Sequence, residues 1–339
     1  MTGRELVATD DIDGALVGLE ATVEAARAYA ESADAPGTRR VYGTAWRQFI
    51  QWCGLRGLDS LPATGTTLAF WLSDLAKAGM KPKTLHVKAA AVRWAHMSAR
   101  DPDGKPLPNP TDTPEVRLVM RGILRDAATR GIRREPADPI TAELLRLLVH
   151  PIDRKSSVRG RRDAAIILLG FGSAMRRSEL AAMEFGDLEY VERGVLVRIR
   201  RSKGDQFGEG QAVAVLRARD QNLCPVAALE AWLRIMKAEG SEGGRVFREI
   251  TKADRILPDS DGLTPESISR IVQKRADLAG VEGRISAHSL RAGFVTTALI
   301  RGKPLAKVKD HARHKAVATT LEYFRDMELF EGHPGEGLL

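Results

Sequence analysis

Cysteine is nearly absent: the 339 residues hold two, Cys53 and Cys224, far apart in the chain. Such a pair builds neither a disulfide framework nor a zinc site, and it points to a reduced, cytoplasmic setting. Long apolar runs are absent too. No stretch approaches the roughly 20 residues of a membrane span. Residues 1–13 are acidic, where a secretory signal would be basic and then apolar. There is no internal repeat and no low-complexity tract. No glycine-rich loop runs into Lys-Ser/Thr to cradle phosphates, and no close carboxylate cluster suits a two-metal site. These absences argue against a disulfide scaffold, a membrane protein and a nucleotide-binding loop.

What is present is a chain long enough for two domains with separate cores, and it is basic. The net charge is +8, unevenly distributed. Eight acids against Arg4 and Arg27 leave residues 1–34 at −6, so the remainder carries +14. A basic body with an acidic end suggests a polyanionic partner, most simply nucleic acid.

Residues 1–37 read as an acidic tail with one helix, Leu19 to Ala33, rich in Ala and Glu. Its charge suits docking on a neighbouring protomer or on the basic body rather than on DNA. Pro36-Gly37 reads as a break, with Thr38 capping the next helix. Apolar positions Tyr42, Trp46, Phe49, Ile50 and Cys53 then recur at helical spacing. Further helices are expected from Thr66 to Ala78, from about Pro82 to Ala99, and from about Pro114 to Arg130, with a loop over Asp101–Pro114. Trp46, Trp71 and Trp94 lie on apolar stripes and read as packing residues. Arg39, Arg47, Lys81, Lys83, Lys88, Arg93, Arg121 and Arg125 fall on other positions and are candidate phosphate contacts, although any one of them alone reads equally as solvated surface. Residues 133–140 read as a basic linker, where Arg133 and Arg134, after Arg130, could follow a nucleic-acid backbone.

The second domain opens with Thr141 capping a helix through Leu148, followed by the apolar run AAIILLGFG, long enough for a buried helix. Arg176 and Glu179 stand three apart, so the carboxylate can orient a cation; as a surface pair it would contribute well under about 1 kcal/mol. Val195–Arg200 alternates apolar and basic side chains and reads as a strand, Gln211–Leu216 as the returning strand, with Lys203 at the turn between them. Helices follow over Asn222–Lys237 and Thr264–Leu278. Near the C-terminus stand His288-Ser-Leu-Arg291, then Arg313-His314, then Tyr323 nine residues further on. On a helix His288 and Arg291 share a face. Arginine grips phosphate oxygens with two donors at once, and a phenol beside such cations is a candidate nucleophile for a phosphodiester.

Taken together, these motifs resemble the tyrosine recombinase, or phage integrase, family, and within it the compact two-domain, Cre-like recombinases. Met-Arg176-Arg-Ser-Glu179-Leu resembles the first arginine motif, Arg-Ser-Lys203-Gly the hairpin lysine, and His288-Ser-Leu-Arg291-Ala-Gly the His-x-x-Arg box. Arg-His314-Lys-Ala-Val-Ala-Thr-Thr-Leu-Glu-Tyr323 resembles the last histidine and the nucleophile at the family spacing. Arg313 departs from the glycine of many members, which puts the local loop geometry in question or adds a phosphate contact.

The resemblance implies an all-α N-terminal core-binding domain, a SAM-like helical bundle, over 38–132. It implies a mainly α catalytic domain with a small antiparallel β-sheet over 141–339. It implies site-specific recombination of double-stranded DNA without metal or other cofactor. Tyr323 would be the nucleophile forming a 3′-phosphotyrosine. Arg176, Arg291 and His314 would contact the non-bridging oxygens, Lys203 would act as general acid, His288 would assist proton transfer, and Glu179 would position the cations. Two protomers would clamp an inverted-repeat site, and two sites would synapse as a homotetramer that resolves a Holliday junction; the free protein would be a monomer or weak oligomer. The setting would be the nucleoid of a bacterium or the host of a phage. After Tyr323, Met327, Leu329 and Phe330 form an apolar plug expected to pack into a neighbouring subunit. Two alternatives share parts of this reading: a type IB topoisomerase that only relaxes DNA, and a DNA-binding protein that has lost catalysis.

Overall fold

The computed structural model describes residues 35–132, 136–200, 210–257 and 260–323. The expected helix at 19–33, the linker arginines Arg133 and Arg134, the turn carrying Lys203 and the plug at 327–330 lie outside the described residues. The chain divides between residues 134 and 135 into two compact units, each described by itself.

The first unit is helical: α1 (Pro36–Gly54), α2 (Gly65–Lys77), α3 (Pro82–Ser98) and α4 (Pro114–Thr129). The helix expected to open at Thr38 after a break at Pro36-Gly37 starts two residues earlier, after the non-helical Ala35, and Thr38 is no cap. Helix α1 begins at Pro36 itself, because a proline in the first turn sacrifices no hydrogen bond and its fixed φ already suits the helix. The α2 cap is Thr64, whose Oγ1 accepts from the Thr67 N–H at 3.1 Å. Phe49, Cys53, Leu68, Trp71, Leu72, Leu85, Val92 and Val116 form the core. Trp71 is fully buried, while Trp46 and Trp94 are half-buried. Phe70, the next residue round the helix, faces solvent. Buried His96 fastens the approach to α2 onto α3. Its Nε2 accepts the Ala63 N–H at 2.9 Å, so Nδ1 carries the proton and donates to the Val92 carbonyl at 2.8 Å.

The second unit contains α5 (Ala142–Val149), α6 (Val158–Ser173), the short α7 (Arg177–Ala182), β1 (Leu188–Val191), β2 (Gly194–Ile199), β3 (Gln211–Leu216), α8 (Pro225–Ala238), α9 (Pro265–Leu278), α10 (Ala287–Ile300), α11 (Leu305–Ala312) and α12 (Val317–Leu321). The strands make one antiparallel sheet in the order β1-β2-β3, with Val195 opposite Val215 and Val197 opposite Val213, all four buried. Strand β1 was not expected. It has four residues, none fully buried, so it carries no apolar alternation to read.

Helix α6 is the axis of this unit. Ile166, Ile167, Leu168 and Leu169 are buried on every side, as the unbroken apolar run requires. Its first turn is capped from a distance: the Asp254 carboxylate accepts from the Val158 and Arg159 N–H groups at 2.8 and 2.9 Å. Trp232 of α8 and Leu290 of α10 join the same core, and the Trp232 indole donates to the Val246 carbonyl. Residues read from the sequence as the end of a linker are docked here. Ile140 is fully buried, and its N–H donates to the Ser289 carbonyl at 2.9 Å. Gly293 permits this contact, since a Cβ there would stand 1.7 Å from the Ile140 carbonyl oxygen. No described helix is long and apolar enough to cross a membrane.

Candidate active site

The C-terminus of α6, the N-termini of α7 and α10, and the turn between α11 and α12 carry the motif side chains. Helix α6 ends at Ala174, a left-handed residue with φ 49°. Carbonyls at a helix end lack intrahelical donors, and here two guanidiniums and an imidazole supply them. Arg291 Nη1 donates to the Ala174 oxygen at 2.8 Å, and Arg313 Nη2 donates to the same oxygen at 3.3 Å. His311 Nε2 donates to the Gly172 oxygen at 3.1 Å. The negative end of the longest buried helix therefore gathers positive charge.

Arg176 is the N-cap of α7. Glu179, one turn on, accepts from the Arg176 backbone N–H at 2.8 Å and from its Nη1 at 2.7 Å. This is not the surface pair that spacing alone suggested, because the Glu179 side chain is 2% exposed. The oxygen that accepts the Arg176 N–H, Oε2, also accepts Arg313 Nη2 at 2.8 Å. One buried carboxylate thus holds two guanidiniums.

Helix α10 starts with a reciprocal cap: Ser286 Oγ accepts from the His288 N–H, and Ser289 Oγ accepts from the Ser286 N–H. His288 lies exposed in the first turn and Arg291 is buried a turn deeper. Burial, reinforced by repulsion from Arg176 and Arg313, draws the Arg291 guanidinium down to about 10, so it stays charged at neutral pH.

Tyr323 completes the arrangement. Its hydroxyl lies 2.9 Å from His288 Nε2. Its ring stacks on His314 at 5.7 Å between centroids and 9° between planes, and packs against a small cluster of Ala174, Val295, Leu299, Val308 and Ala312. The Thr296 hydroxyl donates to its carbonyl at 3.4 Å. Burial first, then the charges of Arg291 and Arg176, push His314 down to about 4, so its imidazole is neutral at pH 7. Its Nδ1 lies 2.9 Å from the Thr320 hydroxyl. If that hydroxyl donates, Nε2 carries the ring proton and is a hydrogen-bond donor.

Six of the seven residues singled out, Arg176, Glu179, His288, Arg291, His314 and Tyr323, form one connected constellation; Lys203 lies outside the described residues. Two contributors were not anticipated. Thr320, fully buried, meets His314 Nδ1 at 2.9 Å, and its only sequence signal was its place inside the quoted Thr-Thr-Leu-Glu-Tyr run. The Ala174 carbonyl carries no side-chain signal at all. Arg313, left open as either a changed loop geometry or a phosphate contact, is held by the protein itself. Its fork is taken up by Glu179 and by the carbonyls of Ser173, Ala174 and His311. Its backbone, φ 55°, is the left-handed conformation that glycine adopts freely. No group of three or more His, Cys, Asp or Glu among the described residues is placed to hold a metal ion.

The candidate DNA contacts of the first unit differ in kind. Arg39, Arg47, Lys81, Lys83, Arg93, Arg121, Arg125 and Arg130 are exposed, Arg130 pairing with Asp126 at 3.3 Å. Lys88 is half-buried: it bonds to Gln48 of α1, lies 6.0 Å from the Trp71 ring centroid, and is pushed down by burial. It ties α3 to α1.

A phenol hydrogen-bonded to a histidine beside buried guanidiniums is the equipment of phosphoryl transfer through a tyrosine. The phage integrase family matches residues 140–328. An integrase/recombinase xerD homolog of Selenomonas ruminantium is 32% identical over 302 residues, covering 89% of this chain and 85% of that protein. The recombinase cre of Escherichia phage P1 is 21% identical, covering 83% and 82%. Among solved structures, XerH bound to a palindromic difH substrate aligns with a TM-score of 0.54 at 17% identity, covering 79% of this chain and 71% of that one; at that identity the likeness concerns the fold. The chain belongs to the phage integrase family and is a tyrosine-type site-specific DNA recombinase.

Proposed function

We propose that Tyr323 cleaves DNA within its own subunit's site. The observation that carries this is the 2.9 Å contact between the Tyr323 hydroxyl and His288 Nε2 inside one chain. The Tyr323 oxygen attacks the scissile phosphorus while its proton passes to His288. The bond from phosphorus to the 5′-oxygen breaks, leaving a 3′-phosphotyrosine. Arg176 and Arg291 neutralise the non-bridging oxygens with rigid, preoriented forks, and neutral His314 donates from Nε2. Lys203, by resemblance, protonates the leaving 5′-oxygen. The covalent link conserves the phosphodiester energy, so a 5′-hydroxyl from another strand reverses the step and completes exchange.

The first unit acts as the core-binding domain, with the exposed cations of α1, α3 and α4 on DNA phosphates. The site is an inverted repeat bound by two protomers, paired with a second site in a tetramer. The palindromic substrate of XerH supports that symmetry. The test uses nicked DNA that releases its 5′-end on cleavage. Wild type should form a covalent DNA adduct without divalent metal, and Tyr323→Phe should form none. An adduct with Tyr323→Phe removes Tyr323 as the nucleophile.

A further inference from the structure

Arg313 has no place in the mechanism above, yet it bonds to the same carboxylate as Arg176 and the same carbonyl as Arg291. It reaches the Glu179 Oε2 at 2.8 Å, while Arg176 holds Oε1 at 2.7 Å. The Arg313 side chain is 7% exposed and Glu179 2%. Its left-handed backbone would be relaxed with glycine and is strained with arginine, so the side chain must compensate through its contacts. Its Nε is a buried donor without a partner, a further cost of placing a guanidinium here.

Charge explains what that placement achieves. A buried carboxylate paired with Arg176 alone would cancel that cation and leave little net field for a phosphate. With Arg313 on the second carboxylate oxygen, the trio of Arg176, Glu179 and Arg313 is positive by one charge. The carboxylate is also fixed at both ends, so it cannot swing to take Arg176 away from the substrate. The guanidinium of Arg176 itself remains partly open, its side chain 27% exposed. Arg313 and Arg291 share the Ala174 carbonyl, so the same side chain braces the second phosphate-binding arginine.

We propose that Arg313 is a positioning residue. Through Glu179 and the Ala174 carbonyl it holds Arg176 and Arg291 and restores the positive charge that Glu179 removes, without touching DNA. The inference rests on the cleavage mechanism proposed above. The test is single-turnover cleavage, well below the melting temperature, of a DNA that wild type cleaves, alongside equilibrium binding of the same DNA. Arg313→Met should slow cleavage by roughly tenfold to a hundredfold, less than the roughly hundredfold to thousandfold cost of removing a donor that touches the reacting oxygen, with DNA affinity changed less than about twofold. Arg313→Lys, which keeps the charge, should recover most of the rate. Arg313→Gly suits the backbone and should be as slow as Arg313→Met while folding normally. Wild-type rates in Arg313→Met and Arg313→Gly would overturn the inference. Equal losses in Arg313→Met and Arg313→Lys that follow a lowered melting temperature would also overturn it, by showing a structural role alone. A matching loss of DNA affinity would instead make Arg313 a phosphate contact and overturn it too. Tyr323→Phe, run in parallel, reports separately on the mechanism, since adduct formation there would defeat the nucleophile assignment whatever Arg313 does.

Discussion

The arginines of the site and the exposed cations of the first unit are held in opposite ways. In the first unit, Arg39, Arg47, Lys83 and Arg121 extend from helices into solvent. At the site, Arg291 is buried and the Arg313 side chain is 7% exposed, and each nitrogen that bonds is directed at a named carbonyl or carboxylate. Exposed cations are mobile and screened, and so suit a backbone of phosphates met in many registers. Buried cations lose solvation and must be matched by partners, and in exchange they present fixed geometry and a field that water does not weaken. Under the proposed function, the same residue types serve affinity in one place and chemistry in the other.

That contrast can be broken by stability measurements. The largest effect is expected at Glu179. Glu179→Gln leaves Arg313 and Arg176 without their shared counter-charge, and removing one partner of a buried pair costs about 3–5 kcal/mol. Thermal melting should fall by several degrees, since each kcal/mol shifts a unit of this size by roughly 2–4 °C. An unchanged melting temperature would mean that the buried ion cluster contributes nothing to the fold.

A smaller effect is expected from His314. Its folded pKa, about 4, lies below the ordinary value of 6.5. The unfolded chain therefore binds the proton first as pH falls, and stability that is complete above about pH 6.5 drains away as pH drops toward 4. The loss is at most about 3 kcal/mol. Buried His96 and half-buried His311 are also lowered, by burial first, and slope the same way. His314→Gln should flatten the curve of melting temperature against pH between 6.5 and 4 without abolishing it. An identical slope in the variant would show that His314 is not held neutral.

The smallest effect on stability is expected in the first unit. Arg47→Ala or Lys83→Ala should change folding free energy by less than about 0.5 kcal/mol. Each should weaken DNA binding and reduce the magnitude of its salt dependence by about one counterion. A destabilisation matching that of Glu179→Gln would erase the difference between the two sets of cations.

Legibility in the sequence follows the same division. The constellation was readable because its residues sit at fixed spacing on short motifs, and the apolar run of α6 and the alternation of β2 announced the core around it. The buried role of Arg313 was not readable, since its partners are Glu179, 134 residues away, and backbone oxygens, which leave no mark in a sequence. Strand β1 lacked a buried face. Pro36 looked like a break because proline both interrupts helices and starts them, and only the chain before it decides which. Which of the exposed cations meet DNA is equally hidden, because lysine on a solvated helix has the same pattern whether or not a phosphate lies opposite.

The most direct test of the account mixes two inactive proteins on one DNA site: Tyr323→Phe, which keeps the arginines, and Arg291→Ala, which keeps the nucleophile. Because Tyr323 lies on His288 of its own chain, no subunit in the mixture has a complete site, and no covalent adduct should form. An adduct restored by mixing would show that the tyrosine is delivered to a neighbouring subunit, and would contradict the arrangement described here.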